Sequence, residues 1–264
     1  MKTKIYLDSE KYTAGITLKD PEEPEEGSLA LHTCENTGAI IENRRKLATF
    51  LGFSLGDFVC AHQTHSANFH RATQADRGRG SVAMDDAISD TDALYTYEPN
   101  LVLCCFTADC VPLILCNEKT GLAGVIHSGW GGTVNEIVPR VLEQLIRSEH
   151  NQPEDIRVFI GPAISQESFE VDRDVRDRFK ALGYADPYIS YNGKTGKYHI
   201  DNQLTVKKQC ELAGMPPENI FVDRTCTFSS PNCFSYRRDK ACGRHLSFII
   251  RKEKTERPTN LPNV

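Results

Sequence analysis

The stretch LVLCCFTADCVPLILCNEKTGLAGVIHSGWGGT, residues 101–133, decides the fold. Within it, residues 101–106, 111–116 and 122–127 are short apolar runs bounded by turn residues, and residues 156–160 add a fourth. Strands covered on both faces read this way, because burial on each side removes the polar–apolar alternation of a half-solvated strand. A helix is predicted next, over residues 133–147. Ile137, Val138, Val141, Leu142, Leu145 and Ile146 form one apolar stripe, and Thr133 and Glu136 have capping-box spacing. Pro139 lies inside that stripe and predicts a kink or a later helix start.

Working outward, residues 43–51 read as a helix ending near Gly52, and residues 201–213 as a capped helix closed by Gly214. Tyr191-Asn192-Gly193-Lys194 is a type I′ hairpin signal. Residues 1–30 are polar, with an acidic run at 21–26, and read as a loop over the surface. Residues 71–89, rich in Gly, Asp and Arg, read as a long mobile loop close after His65, either a lid or a plain insertion. Strands alternate with helices and no linker divides the chain. The expectation is one α/β domain over residues 1–264, with a core at about 30–250 and a frayed polar tail at 251–264.

The chain has 264 residues and a net charge of −5, so it has no global pull on nucleic acid or an anionic membrane. The first 15 residues lack a secretory pattern, and the apolar runs are far shorter than the roughly 20 residues of a membrane span. Ten cysteines without an export signal, several of them in strand-like runs, read as free thiols filling a core in a reducing cytoplasm.

Three segments each bring one soft metal ligand to a structured backbone: His65 in QTHSAN, Cys110 in TADCVP and His127 in HSGWGG. Two imidazoles and one thiolate suit zinc, and three protein ligands leave a fourth position open, as catalytic sites do. Taken singly, each residue also reads as a core thiol or a satisfied core histidine. The glycines of Gly129-Trp130-Gly131-Gly132, leading into a helix, favour an anion and phosphate first, with Gly129 and Gly132 as backbone contacts. Asp109 is a proton-shuttling acid or a carboxylate that holds a histidine tautomer. His62 forms His-x-x-His with His65, but in an extended segment the two rings face apart. Cys226 and Cys233 are spaced too widely for a zinc knuckle. Arg237, in FSYRRD at 234–239, suits stacking or anion contacts, with a solvated strand edge as the plainer reading.

With these residues collected, the chain resembles the YfiH/YlmD-type family, known first as polyphenol oxidase or laccase-domain proteins and now as purine nucleoside phosphorylases. The resemblance runs from about residue 43 to 250. Its blocks are Asn43-Arg44, Gln63-Thr64-His65, Thr91-Asp92-Ala93-Leu94, Thr107 to Pro112, His127 to Trp130, Ile160 to Ile164, Phe169 to Val171, Cys226-Thr227, Phe234 to Asp239 and Gly243-Arg244. It implies a single α/β domain of mixed β-sheets layered with helices, a cysteine-hydrolase-like sandwich. It implies metal ligation by His65, Cys110 and His127. It also implies phosphorolysis of adenosine, inosine, guanosine and methylthioadenosine, with adenosine deamination as a second activity. Arg44 matches a family arginine near the site and is expected to contact phosphate or ribose. One position departs: the family carries Arg or Lys after the tryptophan, where this chain has Gly131.

The expectation is therefore a cytoplasmic zinc enzyme acting on purine nucleosides and phosphate, catalytic through Cys110, His65, His127 and Asp109. Copper is the alternative metal. No nucleic-acid or membrane partner is expected, and the assembly is a monomer or weak homo-oligomer. Four other readings stand beside it: a copper polyphenol oxidoreductase, a metal-free hydrolase with Cys110 as nucleophile and His127 as base, a cell-wall precursor editing factor, and a zinc-stapled binding domain. A multicopper laccase needs His-x-His pairs, and the eight histidines here form none.

Overall fold

The computed structural model describes residues 1–33 and 36–253. In chain order, β1 (Thr3–Asp8) and β2 (Tyr12–Thr17) form an antiparallel hairpin. Helix α1 (Thr37–Leu51) starts where the Asn36 side chain accepts from the Ala39 N–H and ends at Gly52, left-handed at φ 77°. Next come β3 (Phe58–Val59), β4 (Phe69–Arg71), β5 (Ala93–Thr96), β6 (Val102–Thr107), β7 (Val111–Asn117) and β8 (Leu122–Ser128). Then follow α2 (Trp130–Val134), α3 (Ile137–Glu143), β9 (Arg157–Ile160), β10 (Glu170–Val171) and α4 (Arg173–Lys180). The chain continues through β11 (Ile189–Asn192), β12 (Lys197–Ile200), α5 (Asn202–Leu212), β13 (Ile220–Val222) and β14 (His245–Arg251).

These strands make a five-stranded sheet in the order β1-β2-β14-β6-β3, a six-stranded sheet in the order β13-β9-β7-β8-β5-β4, and a small sheet β10-β12-β11. The two large sheets stack face to face. Along β6, Val102, Cys104 and Phe106 pack with α1, whereas Leu103 and Cys105 point into the intersheet layer. Along β7, Leu113 and Leu115 pack with α3 and α5, whereas Ile114 and Cys116 meet the other sheet. The result is one α/β domain of four layers, helix–sheet–sheet–helix. It explains the continuous apolar runs of β6, β7 and β8, whose residues are all buried. The small sheet packs with α4 around Phe169, Val171, Phe179 and Ile200.

Several expectations need correction. Residues 1–30 are not simply a surface loop: β1 and β2 extend the five-stranded sheet, with Tyr12, Ala14 and Ile16 fully buried. The buried core thus begins at Tyr12, not near residue 30. The polar residues of β1 lie at a sheet edge, where water covers one side, so composition hid the strands. The helix over 133–147 is two pieces. Glu136 is left-handed at φ 59°, α2 begins already at Trp130, and Pro139 sits in the first turn of α3, where its missing N–H costs nothing. The hairpin at 191–194 exists, but its turn is longer: Asn192 pairs with Lys197, and Gly196 takes the left-handed position at φ 70°. The capped helix closed by Gly214 stands, with Asp201 accepting from the Leu204 N–H. The tail at 251–264 lies outside the described residues beyond Glu253.

Arg44 explains how residues 71–89 are held. Its guanidinium is fully buried, donating from Nε to the Leu29 carbonyl at 2.7 Å and from Nη1 to the carbonyls of Gly80 and Ser81 at 2.7 Å each. It also lies 5.0 Å over the Phe106 ring. The loop is pinned to the domain rather than poised over the site, and Arg44 spends Nε and Nη1 on backbone, with Nη2 buried and unpartnered. Arg44→Met should therefore lower stability by about 2–4 kcal/mol, since three buried carbonyls lose a charged donor. Urea unfolding of the two proteins, compared at equal metal loading, checks this.

Candidate metal centre and active site

The three soft ligands come from three loops at one end of the six-stranded sheet. Cys110 occupies the turn between β6 and β7, His127 sits near the end of β8, and His65 lies in the loop between β3 and β4. Their ligand atoms all lie within 4.8 Å of one another. Cys110 Sγ is 3.7 Å from His65 Nε2, and the two imidazoles meet edge to face with ring centroids 4.8 Å apart. Ligands about 2.0–2.3 Å from a tetrahedral zinc stand about 3.3–3.8 Å from each other, so the donor set fits a metal ion. Gly129 makes the approach possible: a Cβ there would stand 2.6 Å from His65 Cδ2 and 3.0 Å from Cys110 Sγ. Among the described residues, this is the only group of three or more such side chains that could hold a metal.

Asp92, just before β5, organises the trio. Its Oδ1 accepts from His127 Nδ1 at 2.7 Å, which leaves Nε2 of His127 as the ligand atom. It also accepts from the backbone N–H groups of Thr64, His65 and Ser66 and from the Ser66 hydroxyl. His65 is held at φ 62°, a conformation that costs energy outside glycine and is sustained here by that carboxylate. Burial alone would raise the Asp92 carboxyl, but the His127 hydrogen bond and charge, with Ser66, outweigh it and bring it to about 2. Burial alone would likewise raise the Cys110 thiol. The charge and hydrogen bond of His127, with His65, instead bring it down to about 6. Burial opposes the charged form of His127, yet Cys110 and Asp92 together raise it to about 9. The metal-free centre is thus a thiolate–imidazolium pair braced by a carboxylate.

Two cavities adjoin at this trio and share His65, Ala108, Cys110 and Tyr236 in their linings. The first, of about 430 Å³, has Trp130, Ile164, Phe169 and Val175 beside four carboxylates: Asp109, Glu170, Asp172 and Asp174. Asn202 also lines it, and its buried Oδ1 has no partner. The second, of about 410 Å³, has Arg244, His32, Gln63 and Thr107, and none of its lining side chains among the described residues is a carboxylate. No residue of 71–89 lines either cavity, so nothing here makes that loop a lid.

The other expected site residues fall in different places. Asp109, left-handed at φ 84°, lines the first cavity but does not touch a histidine. Its oxygens accept from the Thr227 hydroxyl at 2.6 Å and the Arg237 N–H at 2.7 Å, so it ties the segment between β13 and β14 to the turn carrying Cys110. The tautomer-holding carboxylate is Asp92 instead. Arg237 lines the same cavity, with its guanidinium over the Phe169 ring and Nη1 on the carbonyls of Ser168 and Glu170. Gly132 is buried against Ser66 O and the His127 carbonyl. Its role and that of Gly129 is close packing rather than an open anion cradle, and Arg44 lines neither cavity. His62, Cys226 and Cys233 stand outside the metal group. Asp92 was overlooked because an aspartate before a strand looks like ordinary turn chemistry. Asn202 was overlooked because a helix N-terminus explains an asparagine without a site.

The family described as multi-copper polyphenol oxidoreductase laccase matches residues 21–252. A protein of Geobacillus stearothermophilus named purine nucleoside phosphorylase YlmD is 35% identical over 230 residues, 86% of this chain and 84% of that one. Its namesake from Bacillus subtilis is 35% identical over 246 residues, 91% and 88% of the two chains. The crystal structure of Bacillus licheniformis YfiH superposes with a TM-score of 0.87 at 34% identity, covering 94% of this chain and 99% of that one. With the His-Cys-His centre at the junction of two cavities, and a match over most of its length, the chain belongs to the laccase-like polyphenol oxidoreductase family that includes the YlmD and YfiH proteins.

Proposed function

We propose that this protein is a zinc-dependent purine nucleoside phosphorylase of the cytoplasm, converting a purine nucleoside and inorganic phosphate into free base and pentose 1-phosphate. Adenosine, inosine, guanosine and methylthioadenosine are its substrates. Adenosine deamination, adenosine plus water giving inosine plus ammonia, is its second activity. The observation that carries the reading is the position of the soft-ligand trio where an aromatic, carboxylate-lined cavity adjoins a basic one. The relatives named purine nucleoside phosphorylase supply the substrate class. The nine described cysteines are free thiols, in keeping with a reducing compartment.

His65, Cys110 and His127 would hold the metal, which when bound supplies Lewis-acid polarisation at the shared wall. The same soft donors accept copper, the alternative ion. In the first cavity, Trp130 and Phe169 offer flat apolar surface to a purine, and Asn202 Oδ1 offers an unspent acceptor to a base N–H or ribose hydroxyl. The carboxylates suit ribose hydroxyls. They also stabilise the positive charge that builds on the sugar as the glycosidic bond loosens. Positioning of the two substrates side by side where the cavities adjoin supplies much of the remaining rate. A metal-free cysteine hydrolase is the second reading, because the Cys110–His127 pair has the charge state of an activated thiol.

Three measurements bear on this. Protein with quantified metal, given adenosine and phosphate, should yield adenine and ribose 1-phosphate. Folded Cys110→Ala should have neither metal nor product, and inosine as the sole product of the wild type would leave only a deaminase. Turnover that survives complete metal removal would favour the hydrolase. Asp92→Asn should weaken metal binding about 10–100-fold, as loss of an orienting carboxylate does, measured by competition with a chromophoric chelator. In metal-stripped protein, iodoacetamide modification of Cys110, followed by peptide mass spectrometry, should level off above a midpoint near pH 6. Below that pH the thiolate is protonated and the rate should fall about tenfold per unit, because only the thiolate attacks.

A further inference from the structure

We propose that the second cavity is the oxyanion subsite, taking inorganic phosphate on Arg244, next to the nucleoside cavity at the metal trio. This rests on the phosphorylase reading for its place in catalysis, but its binding claim stands on the cavity itself.

Charge divides the two cavities. The first carries one guanidinium, Arg237, among four carboxylates, a poor place for a dianion. The second carries Arg244 and no carboxylate among its described lining residues. Arg244 is anchored through one nitrogen only. Its Nη1 donates to the carbonyls of Cys242 at 2.6 Å and Gly243 at 3.0 Å, and the guanidinium lies 5.5 Å over the Tyr236 ring. Its Nε and Nη2 have no protein partner among the described residues, which leaves two donors of the planar fork for a tetrahedral oxyanion. Thr107, also in this wall and 2% exposed, has a buried hydroxyl without a partner. An unmade hydrogen bond of this kind is costly unless a ligand or water completes it.

The alternatives among the arginines are weaker. Arg44 keeps an unpartnered Nη2 but is fully buried and lines neither cavity, and Arg238 spends Nη1 and Nη2 on the carbonyls of Thr227, Phe228, Ser230 and Cys233. The position that would carry a cation beside the tryptophan is Gly131, which has none. A phosphate in the second cavity meets the reacting sugar carbon where the two cavities adjoin, beside His65, Cys110 and Tyr236, which line both.

The test measures inorganic phosphate binding to the metal-loaded protein by calorimetry without nucleoside, and then the phosphate and nucleoside KM values. Arg244→Gln should weaken phosphate binding and raise its KM about tenfold or more, the loss of a charge-assisted contact, with nucleoside KM and metal content unchanged. Arg244→Lys, which keeps the charge and reaches the same carbonyls, should recover part of the loss and serves if the glutamine variant fails to fold. Thr107→Val should give a smaller loss in the same direction. Arg237→Gln, in the first cavity, should leave phosphate affinity unchanged. Phosphate binding that is absent in the wild type, indifferent to Arg244, or lost instead with Arg237 overturns the proposal. Arg244-dependent phosphate binding without nucleoside cleavage would keep the subsite and remove the phosphorylase reading. Cleavage with Arg244-independent phosphate binding would do the reverse.

Discussion

The Asp92 carboxylate is the constraint on which the centre depends. It accepts from three consecutive backbone N–H groups, at Thr64, His65 and Ser66, and from His127 Nδ1. One group therefore sets the left-handed bend that presents His65 and the tautomer that presents His127. Its backbone reaches the same histidine, since the His127 N–H donates to the Asp92 carbonyl at 2.7 Å. A buried carboxylate is expensive unless its lone pairs are filled, and here they are filled by the two loops that must meet. The third ligand, Cys110, is fixed from the other direction. The carboxylate of Asp109, its neighbour, binds Thr227 and the Arg237 backbone, joining the β6–β7 turn to the segment before β14.

The four-layer core explains why such a centre can sit at a sheet end without collapsing. β7 and β8 are buried over their whole lengths, so their ends project from a rigid base. The loops then divide into two sides. One side carries the small sheet and α4, which bring aromatic groups and carboxylates. The other carries the chain around His32 and the segment before β14, which bring Arg244. The two adjoining cavities therefore differ in charge, one lined by four carboxylates and the other by Arg244 without a carboxylate among the described residues.

Much of the molecule was legible because period and burial leave marks on composition. The runs of β6, β7, β8 and β9, and the caps of α1 and α5, follow from local chemistry. Where the reading missed, a distant partner had overruled the local signal. β1 and β2 look polar until β14 supplies a neighbouring strand. Residues 133–147 look like one helix until Glu136 turns left-handed and divides α2 from α3.

The residue types at His65, Cys110 and His127 determined by themselves that a soft metal could be held, because ligand chemistry belongs to the side chain. What each charged group does was decided only by tertiary structure. Arg44, Asp92, Asp109 and Arg244 are indistinguishable in kind from surface charges along the chain. Arg44 becomes a buried backbone clamp, Asp92 an orienting acceptor and Asp109 a tie between loops, while Arg244 remains half-exposed with nitrogens to spare. The reason is electrostatic: a charge is defined by its partners and by its distance from water, and those are set by segments tens of residues away.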